Sequence, residues 1–451
     1  MNAPRVEELI PAPDPWDVAQ RLAHLPHLLF FDSADRDSPH GRYSYVAANP
    51  SAWLTLDAST DADPLGRLAQ LLPAKMAVVS ELPPFQGGVA GLFGYGLCHS
   101  LERLPRPAHD EFRVPDIAVG RYDWVVSFDH VRGRAWFVSH DPRVDVGVLT
   151  VRAGSVSDVQ GGPSLTRPAR IDAPCLALHS GVTSNFDRRG YEAVVARAVE
   201  YIHAGDCFQV NLSQRLLAPL TEHPLDLYGR LRQRNPAPFA AYFDLGRFQI
   251  ASASPERFLR VYPDGEVETR PIKGTRSRGL TPREDAARLH DLVTSAKDRA
   301  ENVMIVDLMR NDLGRVCEYG SVRVTKVCEP ESYRTVHHLV SEVRGKLRPG
   351  LTAIDLLKAA FPGGSVTGAP KVRAMEIITE LEQVARGPYC GSLAWIGFDG
   401  AMDSSILIRT FTAGGGWVQF PVGGGIVADS DPAREYEETL HKAEGLLRAL
   451  G

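Results

Sequence analysis

The 451 residues hold only six cysteines, Cys98, Cys175, Cys207, Cys317, Cys328 and Cys390, with no C-x-x-C pair and no histidine at finger-like spacing. That scarcity excludes a disulfide framework and a zinc finger, and leaves each thiol as a small hydrophobe of a reducing compartment. No stretch approaches the roughly twenty apolar residues of a membrane span. Residues 1–17 are proline-rich and acidic, without the basic and apolar regions of an export signal, so a cytoplasmic location without membrane partners is expected. Long runs of one charge are also missing: 50 basic residues against 55 acidic ones leave a formal charge of -5. Nothing therefore points to a nucleic-acid groove, and a small molecule is the partner that fits. No repeat of solenoid or propeller length is found. What is there is a composition 44% hydrophobic and 23% charged, enough to bury a large core.

Residues 1–155 read as a sheet-rich layer, with short strands at 28–31, 43–48, 114–119, 124–128 and 135–139 punctuated by Gly and Pro. The stretch 152–174 is rich in Gly, Ser, Asp and Pro and is the expected linker or surface loop. From 186 to 451 helices and strands alternate: a helix over 188–204, a strand over 209–216, a helix near 225–234, then strands at 239–253 and 258–262. The fold class expected is α+β.

Several constellations can carry chemistry. In the C-terminal helix, Asp431 caps with Pro432 at the first position, and Glu435, Glu438 and Lys442 form one polar line beside a buried stripe. Such a line fits either a solvated ion-pair row or one wall of a site. A partner wall is offered by Asp298 and Glu301, which share a helix face; carboxylates from two helices aimed into one cleft suit Mg²⁺, whereas acids near a helix start also occur for the dipole alone. Arg409 sits in the apolar run Ser405-Ile406-Leu407-Ile408-Arg409-Thr410-Phe411, which reads as a buried strand, so its guanidinium needs an anion, from a ligand or from the protein. His337 and His338 lie in a strand pattern and face opposite sides. Two glycine-rich turns, 361–371 and 422–426, can offer bare N–H groups to an anion or simply turn the chain. In Arg270-Pro271-Ile272-Lys273-Gly274-Thr275, a lysine in a rigid turn is a surface charge or, if desolvated, a nucleophile.

Ser254-Pro255-Glu256-Arg257-Phe258, Pro271 to Thr275, Glu301 with Asp307-Leu308-Met309-Arg310-Asn311-Asp312-Leu313, His338-Leu339-Val340-Ser341, Gly363 to Lys371, Ile408-Arg409 and Gly423 to Lys442 follow one another in this order. Together they resemble the chorismate-utilising enzymes, the family of anthranilate synthase component I, aminodeoxychorismate synthase component I, isochorismate synthase and salicylate synthase. Gln86-Gly87-Gly88-Val89-Ala90-Gly91 and Gly41-Arg42-Tyr43-Ser44 extend the likeness more loosely to the N-terminal part. The resemblance implies an α+β fold of large antiparallel β-sheets flanked by helices. It also implies roles. Glu301 and Glu438, with Glu435 nearby, would hold Mg²⁺ on the ring carboxylate of chorismate. Arg409, Tyr389, Lys442 and the N–H groups of Gly423, Gly424 and Gly425 would bind the enolpyruvyl carboxylate. Ser365 and Gly368 would close over the ring, with His338 beside it, and Glu256 would protonate the departing hydroxyl.

Two positions sort the family. Where isochorismate and salicylate synthases carry a water-activating lysine, this chain has Gln209; where anthranilate synthases read Pro-Ile-Ala-Gly-Thr, it reads Pro271-Ile272-Lys273-Gly274-Thr275. The resemblance thus implies amination of chorismate at C4, through attack by Lys273 and then by ammonia, to 4-amino-4-deoxychorismate for 4-aminobenzoate and folate synthesis. No segment resembles a glutaminase, so a separate glutamine amidotransferase subunit is the implied source of ammonia. The competing readings are an anthranilate-forming component and a non-catalytic chorismate-binding scaffold. One stretch departs from relatives under tryptophan control: their Leu-Leu-Glu-Ser segment is here Leu29-Phe30-Phe31-Asp32-Ser33.

Overall fold

The computed structural model describes residues 3–58, 60, 63–72, 75–149, 176–179, 181–334 and 336–451. Strand runs such as Trp124–Asp129 and Ser392–Gly397 are buried along their whole length, as expected where a sheet is covered on both faces. Side chains alternate between two cores: Phe30 packs into one and Leu29 into another. The described residues form a 13-stranded and a 10-stranded sheet, every pairing of named strands being antiparallel. One core, with Phe85, Leu92, Phe243 and Trp395, takes residues from both sheets and lies between them. The outer face of the larger sheet is covered by helices Pro15–Arg21, Pro224–Arg234 and Pro432–Leu450. Helices Ala296–Gly314 and Ala353–Ala360 cover the smaller sheet. This is the α+β arrangement of large antiparallel sheets flanked by helices.

Both sheets draw strands from either side of the 152–174 stretch, which itself lies outside the described residues: Leu29–Asp32 pairs with Phe239–Asp244, and Gly88–Phe93 pairs with Ser392–Gly397. Arg5–Leu9, within the proline-rich and acidic start and not among the strands expected from the sequence, is an edge strand on Arg134–Ser139. The segment expected as one strand over 239–253 is a hairpin, Phe239–Asp244 and Gln249–Ser254. Its turn contains Gly246 at φ 85°, a left-handed conformation that glycine takes without strain.

The elements that carry the site are β1 (Gln209–Pro219), β2 (Ile272–Ser277), α1 (Ala296–Gly314), β3 (Val336–Lys346), α2 (Lys371–Glu382), β4 (Trp417–Ile426) and α3 (Pro432–Leu450). β1 and β4 pair in the larger sheet, β2 and β3 in the smaller. α3 starts as its sequence dictates: the Asp431 carboxylate accepts from the Arg434 N–H at 2.9 Å, with Pro432 first in the helix.

Candidate active site

Lys273 was read as lying in a rigid turn. It stands instead in β2, at a bulge where the ladder to β3 shifts between Lys273 and Thr275 and Gly274 takes φ 79°. The bulge re-aims the side chain, as bulges near active sites do. The Lys273 Nζ donates to the Ser365 carbonyl at 3.3 Å. A methyl group built on Gly425 would meet the Gln209 amide nitrogen at 2.9 Å and Lys273 Nζ at 3.4 Å, so the absent side chain is the space in which amine and amide sit. Burial pushes the Lys273 ammonium below its usual range, and Lys442 adds to the effect against the opposing pull of Glu301, Glu256 and Glu438.

Glu256 is buried beside it. Burial raises its carboxyl to about 7, although Ser365, Lys273 and the Ile272 N–H favour the charged form. The Ser365 hydroxyl donates to its Oε1 at 2.9 Å. A carboxylic acid that keeps its proton near neutrality is matched to donating one. The two histidines face opposite sides, as the strand period requires. His337 Nδ1 and Nε2 contact Ser332 and Asp285 at 2.7 and 3.0 Å. His338 Nδ1 contacts the Thr275 hydroxyl at 2.9 Å. Burial, with Arg409 next, lowers His338 to about 3, so its ring is neutral.

Arg409 is not inside a strand. It occupies the bend between Met402–Ile406 and Thr410–Gly414 with φ 50°, which turns its side chain out of the ladder. Among the described residues its guanidinium has no hydrogen-bond or ion-pair partner, and burial alone pulls its pKa down. A cation held that way is a place for an anion from outside.

The 422–426 segment is likewise strand and not turn, with Gly423, Gly424 and Gly425 opposite Ser213, Leu212 and Asn211. The Asn211 and Ser213 N–H groups donate to Thr367 and Glu382 on the other edge of β1. Their antiparallel partners Gly425 and Gly423 therefore turn their N–H and C=O groups away from β1. Lys442 Nζ takes the Gly423 carbonyl there at 2.8 Å. Around Gly424 stand Glu435, Glu438 and Lys442, each 3.4 to 3.5 Å from where a Cβ would lie. Glycine is demanded at Gly423, where a Cβ would lie 2.2 Å from the Leu212 carbonyl of β1.

The acids expected to hold a metal approach this wall from two helices. Glu438 pairs with Lys442 at 2.7 Å and Glu435 accepts from Ser430 at 2.7 Å. Glu301, on α1, is raised by burial, with Lys273 opposing and Asp298 and Glu438 reinforcing. Among the described residues no three acidic, His or Cys side chains converge closely enough to hold a metal by themselves. The arrangement suits a hard dication that keeps waters and takes its remaining ligands from an anionic substrate, as Mg²⁺ does. Asp298, on the same face as Glu301, is instead paired with Arg276 at 3.0 Å.

Gly368 lies at φ 148° against Val210, with the Gln209 carbonyl 2.1 Å from a built Cβ, so only glycine lets the 363–368 loop close on β1. Tyr389 is packed in the core, its ring 5.7 Å from the Arg386 guanidinium carbon. Thr275, which contacts His338, was not singled out from the sequence; its place two residues after Lys273 is the signal that could have found it. A separate cavity between the sheets is lined by Phe31, Asp32, Ser33, His40, Arg257 and Asp403, apart from all these residues. Its Asp32 carboxylate is taken by Arg232 at 2.7 Å and Tyr228 at 2.9 Å.

A guanidinium without a partner among the described residues, an amine and a carboxyl both shifted by burial, and carboxylates on two helices, set in a two-sheet α+β fold, are groups suited to a small anionic substrate. The chain belongs to the chorismate binding enzyme family, whose profile spans residues 30–448. It is 43% identical over 444 residues to the aminodeoxychorismate synthase component 1 of Escherichia coli (strain K12), covering 95% of this chain and 94% of that one. It is also 43% identical over 392 residues to the anthranilate synthase component 1 of Thermus thermophilus, covering 86% and 82%. Among solved structures, anthranilate synthase component I from Streptococcus pneumoniae superposes with a TM-score of 0.75 at 36% identity, covering 89% and 91%. MenF, the menaquinone-specific isochorismate synthase from Escherichia coli, shares the fold with a TM-score of 0.72 at 17% identity, covering 100% and 96%. The chain is a chorismate-utilising enzyme.

Proposed function

We propose that this enzyme aminates chorismate at C4 to 4-amino-4-deoxychorismate, as the synthase component of an aminodeoxychorismate synthase. The observation that carries the reading is Lys273: an amine with a depressed pKa, next to a carboxyl that keeps its proton to about pH 7. The neutral Lys273 amine attacks C2 of the ring, both ring double bonds shift to C1=C6 and C4=C5, and the C4 hydroxyl leaves as water with the proton of Glu256. Ammonia then attacks C4, both double bonds return to C5=C6 and C1=C2, and the lysine is expelled as its amine; the enolpyruvyl group stays on the ring. Splitting one displacement into two is what covalent catalysis offers, and the positioned acid supplies about 10² to 10⁴ in rate.

Arg409, Lys442 and the outward N–H groups of Gly423 and Gly425 would take the enolpyruvyl carboxylate in this reading, helped by Tyr389 and Gly424. Ser365 holds Glu256, Gly368 lets the loop close, and neutral His338 lies along the ring. Glu301 and Glu438, with Glu435 through water, would hold Mg²⁺, which when bound neutralises and orients the ring carboxylate. Ammonia comes from a glutamine amidotransferase partner in this reading. Among the described residues every cysteine is buried, and burial raises the thiols, Cys98 and Cys390 to about 12 and Cys317 to about 11, so none is the thiolate that glutamine hydrolysis needs.

The test is to incubate the protein with chorismate, Mg²⁺ and an ammonium salt and to identify products by mass spectrometry, with and without an added aminodeoxychorismate lyase. Formation of 4-aminobenzoate only with the lyase, lost in Lys273→Ala, is the expected result. Anthranilate from the unmodified protein would replace this reading by the anthranilate-forming one, and unchanged chorismate would leave a binding subunit.

A further inference from the structure

Among the described residues no strand pairs one edge of β1 between Val210, where Gly368 pairs, and Leu216, which pairs with Ser184. The N–H groups there are taken by other means: Asn211 donates to the Thr367 carbonyl at 2.7 Å, Ser213 to Glu382 Oε1 at 2.8 Å and Arg215 to the Asn185 side chain at 2.7 Å. Glu382, at the end of α2, is bound by Arg386 through Nε at 2.9 Å and Nη2 at 2.6 Å. The same guanidinium donates to the Asn211 carbonyl at 2.8 Å and to the Val366 carbonyl at 2.9 Å, and its carbon lies 4.8 Å over the Tyr95 ring. Both members are buried, at 5% and 4% exposure. A buried ion pair thus fills the place of the missing strand.

Such a pair is a poor source of stability, since desolvating two charges offsets most of their attraction. What it does supply is a rigid fork of donors reaching three directions at once, which no apolar side chain offers. The backbone it ties down is that of the site. Val366 follows Ser365, whose hydroxyl donates to Glu256 and whose carbonyl receives Lys273. Asn211 lies two residues from Gln209, on the same face of β1. We propose that Arg386, oriented by Glu382, is a positioning residue that holds Ser365 against Glu256 and Lys273 and so sets the geometry of proton donor and nucleophile. It touches neither substrate nor reacting atoms, and the inference rests on the amination reading for the roles of Glu256 and Lys273 and for the identity of the product.

The test uses Arg386→Lys, which keeps the charge but loses the fork, and the double variant Glu382→Met with Arg386→Leu, which removes both charges together and so spares the core an unpaired ion. Chorismate consumption with Mg²⁺ and ammonium is followed on protein whose folded fraction is set by near-UV circular dichroism. We expect kcat to fall about 100-fold, the scale of a 1 Å misplacement, with the KM for chorismate within about twofold. A kcat within about twofold of the parent in either folded variant overturns the proposal, as does a loss of kcat in both that only follows the loss of folded protein. Chorismate consumption is read whatever product forms, so a wrong product in the unmodified protein refutes the amination reading and leaves this result interpretable.

Discussion

Two sets of buried charge sit in this molecule and behave as opposites. In one, Arg257 is held by Asp403 at 2.9 Å and Glu268 at 3.0 Å and Arg270 by Glu342 and Glu331, with the partly exposed Arg344 bridging Glu268 and Glu342 at 2.7 Å each. Each of these cations has protein carboxylates for partners. In the cleft, Arg409 has none among the described residues, and the hydrogen bond of Lys273 goes to a carbonyl. The first set is closed and structural. In the second, carboxylates act on Lys273 from nearby while Arg409 is left without a partner, which is what a site for an anionic substrate requires. A buried arginine says little about function until its partners are known.

The contrast can be broken experimentally, and the largest effect is expected in the closed set. Arg257→Leu leaves Asp403 without its arginine and Glu268 with Arg344 alone, and should lower unfolding stability by about 3 to 5 kcal/mol in urea, with the chorismate affinity of the folded fraction unchanged. Next is Glu256. Its carboxyl is raised from 4.5 to about 7 in the folded chain, so the native state holds a proton that the unfolded chain has released. The stability this contributes is complete below the unfolded pKa and is lost as pH rises through the folded one, about 3 kcal/mol in all. Glu256→Gln should therefore flatten the fall in urea midpoint between about pH 4.5 and 7, and an unaltered slope would show that the carboxyl is not neutral there. Arg409→Leu should act in the reverse sense to Arg257→Leu: a melting temperature no lower than the parent's, and chorismate affinity by calorimetry reduced about 10- to 100-fold, the scale of about 1.5 to 3 kcal/mol for charge-assisted hydrogen bonds. A stability loss like that of Arg257→Leu would mean that Arg409 has a protein partner. The smallest effect belongs to charge outside both sets: Arg188, half-exposed and paired with Glu192 and Glu437, should change stability by less than about 1 kcal/mol on replacement by Ala.

Elements set by local pattern were legible in the chain. The helix over 188–204 is found at Arg188–His203, and the expected Asp431 cap and Pro432 start of the last helix are in place. The opposed histidines and the order of the site segments were readable for the same reason: helix period, strand period and capping chemistry act over a few residues. Segments whose backbone is set by distant neighbours were not. Lys273 looked like a turn residue because proline and glycine flank it, yet pairing with β3 makes it a strand at a bulge. Gly423 to Gly425 looked like a loop because glycine is rare in strands, yet β1 lies too close to Gly423, and the Gln209 amide too close to Gly425, for a side chain there. Arg409 looked like strand interior because its neighbours are apolar, yet a φ of 50° turns it out.

By itself, then, the sequence determined the inventory of chemistry: a lysine in place of alanine, a glutamine in place of lysine, and acids on two helices in a recognisable order. Whether those groups meet, and which buried charges remain without partners, was decided only by the tertiary structure. Desolvation and pairing depend on segments far apart in the sequence, as Ser365 against Glu256 and Lys273 against Gly425 show, and no local pattern encodes them.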